Sequence, residues 1–158
     1  MNYAGIDIGA NGGIAVLSDG KLIYKKLGEV KDWIKLLKSP IIVAIEDLHS
    51  IYGSSAKSNF GFGVNNGIVI GALQCKGIDY FKVPPKTWQK YIWMSQDLVK
   101  FGTKVDTKAT SLNAARRLYP DEQFLASNRS SVPHDGIVDA VLLATYAHDC
   151  SLRHRESK

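Results

Sequence analysis

The stretch Tyr3 to Leu17, YAGIDIGANGGIAVL, limits the possible folds of this chain more than any other. Ala4, Ile6 and Ile8 alternate with Gly5 and Asp7, the two-residue period of a β-strand. An apolar strand of this kind belongs in a core, yet it carries an aspartate, which must point away from its apolar neighbours. Two more strand-like runs follow, Gly13 to Leu17 and Lys21 to Lys26, joined through Ser18-Asp19-Gly20. Asp-Gly between alternating segments is a strong hairpin signal, so the chain is predicted to open as a three-stranded antiparallel meander.

The rest of the pattern alternates. Val30 to Lys38 sets Trp33, Ile34 and Leu37 at helical spacing, and Pro40 closes that helix. The run IIVAI is continuously apolar, as in a strand buried on both faces, and leads directly into Glu46 and Asp47. A long helix is predicted from Ser54 or Ser55, with Gly63, Gly67 and Gly71 on one of its faces. Each of these glycines costs roughly 1 kcal/mol relative to alanine, a cost that close approach of another backbone would offset. That backbone belongs either to a neighbouring element of the same domain or to the equivalent helix of a second subunit. IDYFKV is a further strand, stopped by Pro84-Pro85, and a short helix spans Thr87 to Trp93. An irregular link carrying Gly102 follows, then a helix N-capped by Asp106 and running to Leu118. After a loop rich in Ser and Asn, the last helix is expected from Asp135 to about Cys150. Strands alternating with helices after a meander predict a mixed α/β sheet with helices on both faces.

At 158 residues and 45% hydrophobic side chains, the chain is long enough for one sizeable core. Residues 1–150 are expected to form a single domain, and 151–158 a short basic tail. No run is long and apolar enough for a membrane span and no signal-peptide pattern opens the chain, so a cytoplasmic location is expected. Cys75 and Cys150 suit neither a disulfide framework nor a zinc spacing. The net charge is +5. Between Lys82 and Arg117 eight basic residues stand against the two acidic ones, Asp97 and Asp106, so this segment alone carries the basic surplus of the chain. Trp88, Tyr91 and Trp93 lie among these charges, a mixture suited to phosphate contact with base stacking. A solvated helical face with its aromatics in the core would show the same pattern.

Three acidic positions are comparable. Asp7 lies in the first strand, Glu46 ends the fourth, and Asp135 and Asp139 share one side of the last helix at i, i+4. Gathered together, such carboxylates would repel one another and could not all stay ionised. A hard divalent cation, Mg²⁺ or Mn²⁺, resolves the conflict, and a pair of such ions supports phosphodiester cleavage. Read one by one, the same residues are a turn cap, a strand-end charge and a helix cap. Asp47 follows Glu46 in the strand and falls on the opposite face.

Taken in order, GIDIGANGGIAVL, VAIEDLHS, TWQK, VDTKATSLNAARRLYP and HDGIVDAVLLATYA resemble the RuvC-type Holliday-junction resolvases of the ribonuclease H-like superfamily, especially the small phage-encoded members. The resemblance spans most of the chain. It implies a ribonuclease H-like fold: a five-stranded mixed sheet, antiparallel meander then parallel strands, with helices on both faces. It also implies a metal-dependent endonuclease that cuts four-way junctions and other branched DNA as a homodimer, with two Mg²⁺ or Mn²⁺ ions per site. Asp7, Glu46 and Asp139 take the places of three family carboxylates. The family's other ligand in the last helix stands three residues before the final aspartate, where this chain has Gly136; Asp135 is the available carboxylate, with His134 as its rival. Lys90 and Lys108 resemble the family's two catalytic-region lysines, with Lys86 as a rival for the first. The family has an aromatic junction-stacking residue in the loop after the strand-ending glutamate, and His49 and Tyr52 occupy that stretch here without a phenylalanine. DNA contacts are expected from His49, Tyr52, Lys86, Lys90, Lys104 and Lys108. A junction-binding protein that does not cleave, or a nuclease for RNA/DNA hybrids on the same fold, are the alternatives.

Overall fold

A computed structural model describes residues 1–47 and 55–156. Three strands, β1 (Asn2–Asp7), β2 (Gly13–Ser18) and β3 (Lys21–Lys26), form the expected meander. Ser18 pairs with Lys21, leaving Asp19 and Gly20 as a two-residue turn with φ of 49° and 76°. Both positive values are what a hairpin matching the strand twist demands, and Asp-Gly supplies them at low steric cost. β1 ends at Asp7, before the alternation that runs through Ile8 is complete, because the Gly9 amide turns back to donate to Asp7 Oδ1.

The expected helix at Val30 to Lys38 is reduced to one turn, α1 (Val30–Trp33), followed by a 3₁₀ turn at Ile34–Leu36. The segment is too short to offset the cost of helix nucleation by itself, and burial of Trp33 and Leu37 holds it on the sheet. Then come β4 (Ile41–Glu46), α2 (Ala56–Cys75) and β5 (Asp79–Val83). α2 begins where Ser55 Oγ accepts from the Ser58 amide at 3.1 Å. α3 (Pro85–Ile92) starts at the second proline, whose missing N–H and fixed φ suit the first helical position. The expected irregular link contains a small hairpin, β6 (Lys100–Phe101) and β7 (Lys104–Val105), with Gly102 at φ 62°. α4 (Thr107–Leu118) is capped by Asp106, whose Oδ1 accepts from the Ala109 amide at 3.0 Å. α5 (Asp135–Glu156) runs past Cys150, so the stretch expected as a tail begins as helix.

The main sheet has the order β3-β2-β1-β4-β5, with β1 antiparallel to β2 and parallel to β4, and β4 parallel to β5. Its two faces differ in side-chain size. Ile6, Ile8, Val43 and Ile45 fill one face under α1 and α2, packing on Trp33, Val69 and Leu73. Gly5, Ala15 and Ala44 lie on the other, where α5 packs. The small residues are required there: a Cβ on Gly5 would collide with the backbone of Ala140 and Ala144. Close approach lets one helix lie along the centre of the sheet and carry its side chains to the strand ends.

The glycines of α2 behave differently. A Cβ on Gly61, Gly63, Gly67 or Gly71 would meet nothing within 4 Å among the described residues. The first alternative for the glycine face, a neighbouring backbone of the same domain, is therefore not found. No helix among the described residues is long and apolar enough to cross a membrane.

Candidate active site

Parallel pairing sets the site. Ile6 pairs with Ile45, so the next residues, Asp7 and Glu46, end adjacent strands side by side, both on the α5 face. Two close contacts at the start of α5 add the third group. Gly12 bridges to Gly136, and a Cβ on Gly13 would strike the Gly136 carbonyl, so the first turn of α5 rests on the β1–β2 turn. Asp139 then projects toward Asp7 and Glu46, close enough that the charges of both act on it.

The three carboxylates hold one another near neutrality. Burial, opposed by the Gly9 amide and reinforced by the charge of Asp135, pushes Asp7 up to about 6. Glu46 is pushed up to about 7 by burial and by Asp7, against the hydrogen bond from Trp88. Asp139 is likewise pushed up to about 7 by burial, then by Asp7 and Glu46, with a bond from Ser111 opposing. The environment thus resists full ionisation of the set near neutral pH, as expected for like charges sharing one desolvated site.

Each group also has its own holder. Trp88, fully buried, donates its indole N–H to Glu46 Oε1 at 3.0 Å. Ser111, also buried, bonds Asp139, and the Gly9 amide donates to Asp7 Oδ1 at 2.9 Å. Asp135, at the mouth of the site, forms an ion pair with Lys108 at 2.6 Å, which raises the lysine's pKa. The donor set is all oxygen, which fits a hard divalent cation. In the present arrangement the groups are gathered but turned to their separate holders, and among the described residues no three His, Cys, Asp or Glu side chains form a finished cage.

Of the expected residues, then, Asp7, Glu46, Asp139, Asp135 and Lys108 come together. His134 stands before α5, where the Ile137 amide donates to its carbonyl at 3.0 Å and to its Nδ1 at 3.4 Å. Lys86 and Lys90 lie exposed on α3 and are not among the groups that shift the carboxylates. Lys104 is exposed on β7, and His49 and Tyr52 lie outside the described residues. Trp88 and Ser111 were not singled out as holders of the carboxylates, since an indole or a hydroxyl well separated in sequence from its partner leaves no local pattern. Gly136 stands where the resemblance leads one to expect an acidic residue. A Cβ at this position would collide with the Asn11 carbonyl and stand 2.8 Å from Asp7 Oδ2, so no side chain fits there, and the neighbouring carboxylate is that of Asp135.

A central five-stranded mixed sheet with this order, helices on both faces and carboxylates at the ends of β1 and β4 and on α5, is a ribonuclease H-like fold. Within that class the chain is similar to RuvC: the Thermus thermophilus RuvC structure "in complex with Holliday junction substrate" superposes with a TM-score of 0.62 at 16% identity, covering 98% of this chain and 96% of that one. A second Thermus thermophilus RuvC structure gives 0.54 at 20% identity, covering 95% and 97%. No protein-family model and no curated protein matches the sequence.

Proposed function

We propose that this chain is a metal-dependent endonuclease that cuts Holliday junctions and other branched DNA by in-line hydrolysis, as a homodimer. The observation that carries the reading is the convergence of Asp7, Glu46 and Asp139 in one desolvated patch, each with its pKa raised, on a fold similar to RuvC. Asp7, Glu46, Asp139 and Asp135 would hold the cation or cations, Mg²⁺ or Mn²⁺. Such an ion would supply the charge that lets the carboxylates ionise together and the Lewis acidity that phosphodiester hydrolysis needs.

The chain's own groups do the remainder. The Gly9 amide, the Trp88 indole and the Ser111 hydroxyl fix one carboxylate each, so the oxygens left over face the patch in set orientations. Lys108 stands at the mouth of the site, where an ammonium offsets the negative charge that accumulates on a phosphate under attack. Its partner Asp135 keeps it there until substrate or metal competes for either group. In-line displacement would leave a 5′-phosphate and a 3′-hydroxyl. The exposed Lys86, Lys90 and Lys104 extend the positive surface along which phosphates would lie.

Paired nicks across a symmetric junction call for two sites related by a two-fold axis. The outer face of α2 suits that contact. Phe60, Val64 and Ile68, exposed by 75%, 43% and 48%, recur every fourth residue beside the open glycines 63, 67 and 71. Together they form an apolar strip with room for a second helix to approach closely.

The test is incubation of a labelled four-way junction, a flap, a linear duplex and an RNA/DNA hybrid with Mg²⁺ or Mn²⁺. Symmetric paired nicks in the junction, lost on chelation, are expected. Preferential cutting of the hybrid, or tight junction binding with no cutting under any metal, would overturn the proposal.

A further inference from the structure

Phe101 is 73% exposed at the end of β6, and Phe60 on α2 is the other phenylalanine left largely in solvent; Phe81 is half-buried and Phe124 fully buried. The surroundings of Phe101 indicate a purpose. Phe101 pairs directly with Lys104 across the hairpin, so the ring and the ammonium project from the same face of the two strands. Lys100 is exposed on the preceding position, and Met94 and Leu98 on the approach are exposed by 52% and 37%.

A two-stranded hairpin this short is not stable alone. Here its base is tied down. The Asp106 amide donates to the Val99 carbonyl at 2.8 Å, and the Val99 amide donates to Thr110 Oγ1 at 3.0 Å. Beneath it, Asn113 Nδ2 donates to the Asp97 carbonyl at 3.1 Å. Arg117 grips the buried Asp97 carboxylate from Nε and Nη2 and also reaches the Ile92 carbonyl at 2.9 Å. The Arg117 bond is also the chief cause that lowers the Asp97 pKa, which favours the charged form of this anchor. The fold therefore presents an exposed ring on a held base.

The hairpin also has a fixed relation to the carboxylates. Its second strand runs through the Asp106 cap into α4, whose second residue is Lys108, the lysine paired with Asp135. Lys108 lies four positions after Lys104, a reach of at most about 14 Å. That is roughly four steps of a nucleic-acid strand at 3.4 Å each.

We infer that the β6–β7 hairpin is a nucleic-acid contact in which Phe101 stacks on a base left unpaired at or beside the branch point, while Lys104 holds the neighbouring phosphate. This rests on the reading of the chain as a branched-DNA nuclease and adds to it the element that senses the branch. An intact duplex offers no free base face to an exposed ring, whereas a branch point can release one. Aromatic stacking on a free base tolerates any sequence and gives a substantial part of the affinity for unpaired strands.

The experiment titrates wild type, Phe101→Ala, Phe101→Trp and Lys104→Ala, in EDTA, against a four-way junction carrying 2-aminopurine at the crossover and against a linear duplex. Phe101→Ala is expected to bind the junction about tenfold more weakly, with its effect on the duplex near zero, and to abolish the change in 2-aminopurine fluorescence. Phe101→Trp should restore both. Lys104→Ala should weaken both DNAs and lower the salt slope by about one. An unchanged melting temperature for Phe101→Ala shows that the losses are not unfolding, and recovery in Phe101→Trp makes the same point if the alanine variant is unstable. A wild type that prefers the junction, with Phe101→Ala binding it equally well, overturns the hairpin assignment and leaves the nuclease reading standing. A wild type with no junction preference overturns both. If Phe101→Ala instead changes the sedimenting mass with DNA affinity intact, the hairpin is a protein contact and the inference fails.

Discussion

The two long helices, α2 and α5, lie on opposite faces of one sheet, and their glycines stand in opposite circumstances. In α5, Gly136 is locked under the β1–β2 turn, and the facing Gly5 and Gly13 let the helix backbone come down onto the strands. In α2, a Cβ added at Gly61, Gly63, Gly67 or Gly71 would meet nothing within 4 Å among the described residues. The first arrangement is an internal close approach, and its product is the site: only a helix this near the sheet can bring Asp139 beside Asp7 and Glu46. The second has no explanation among the described residues of the chain, and the exposed Phe60, Val64 and Ile68 run beside it. The same residue type, at similar cost to helix propensity, brings the carboxylates together on one face and leaves an open strip on the other.

The contrast breaks most readily at Gly136. Gly136→Ala drives a methyl group into the Asn11 carbonyl, and overpacking against backbone should cost about 3 kcal/mol or more. A urea melt measures it; a midpoint equal to wild type would mean that α5 has room to spare and that the glycine at 136 needs another cause.

The next effect comes from charge. Asp7, Glu46 and Asp139 have folded-state pKa values raised to about 6, about 7 and about 7 from 3.8, 4.5 and 3.8. The folded protein therefore holds protons that the unfolded chain would release. The stability this contributes is full below about pH 4 and is lost as pH rises through 6 to 7. For Asp7 alone the two-unit shift corresponds to about 3 kcal/mol as an upper bound. Metal-free protein should melt at progressively lower temperature from pH 4 to pH 7, and Mg²⁺ or Mn²⁺ at pH 8 should restore the loss. Asp7→Asn should flatten the profile and abolish cleavage while leaving junction binding largely intact. Metal-dependent cutting by this variant at near the wild-type rate would remove the metal-site assignment.

A smaller effect is expected from Trp88→Phe, which keeps the buried ring and deletes the N–H that holds Glu46. Loss of a hydrogen bond to a charged group should cost about 1.5 to 3 kcal/mol, partly relieved here because Glu46 is already close to neutral. Mn²⁺ affinity, read by calorimetry, should fall about tenfold as the carboxylate loses its orientation. An unchanged Mn²⁺ isotherm would reduce Trp88 to packing.

The smallest effect has the opposite sign. Gly67→Ala places a methyl group in open space, so at concentrations where the protein is monomeric it should gain up to about 1 kcal/mol from helix propensity. Self-association should weaken in the same variant if the glycine strip is where two copies meet. Sedimentation and a melt at two concentrations separate the effects, and destabilisation of the monomer would end the contrast between the helices.

Much of this was legible in local pattern. The period-two alternation around Asp7, the Asp-Gly turn at 19–20, the apolar run into Glu46 and the Asp106 cap are consequences of backbone sterics and neighbouring side chains, which act over a few residues. They were enough to place Asp7, Glu46 and Asp139 on their elements. The β6–β7 hairpin escaped notice because its strands are two residues each, too short to show alternation. Tertiary structure alone decided which partners hold the carboxylates, why position 136 admits no side chain, and that the α2 glycines face outward. Those outcomes depend on how elements tens of residues apart meet in register, and the energy that selects the register is the burial of whole faces rather than the preference of any one residue. Trp88 meets Glu46 only because β4, β5 and α5 first set the depth at which α3 can pack, and no spacing within the chain encodes that depth.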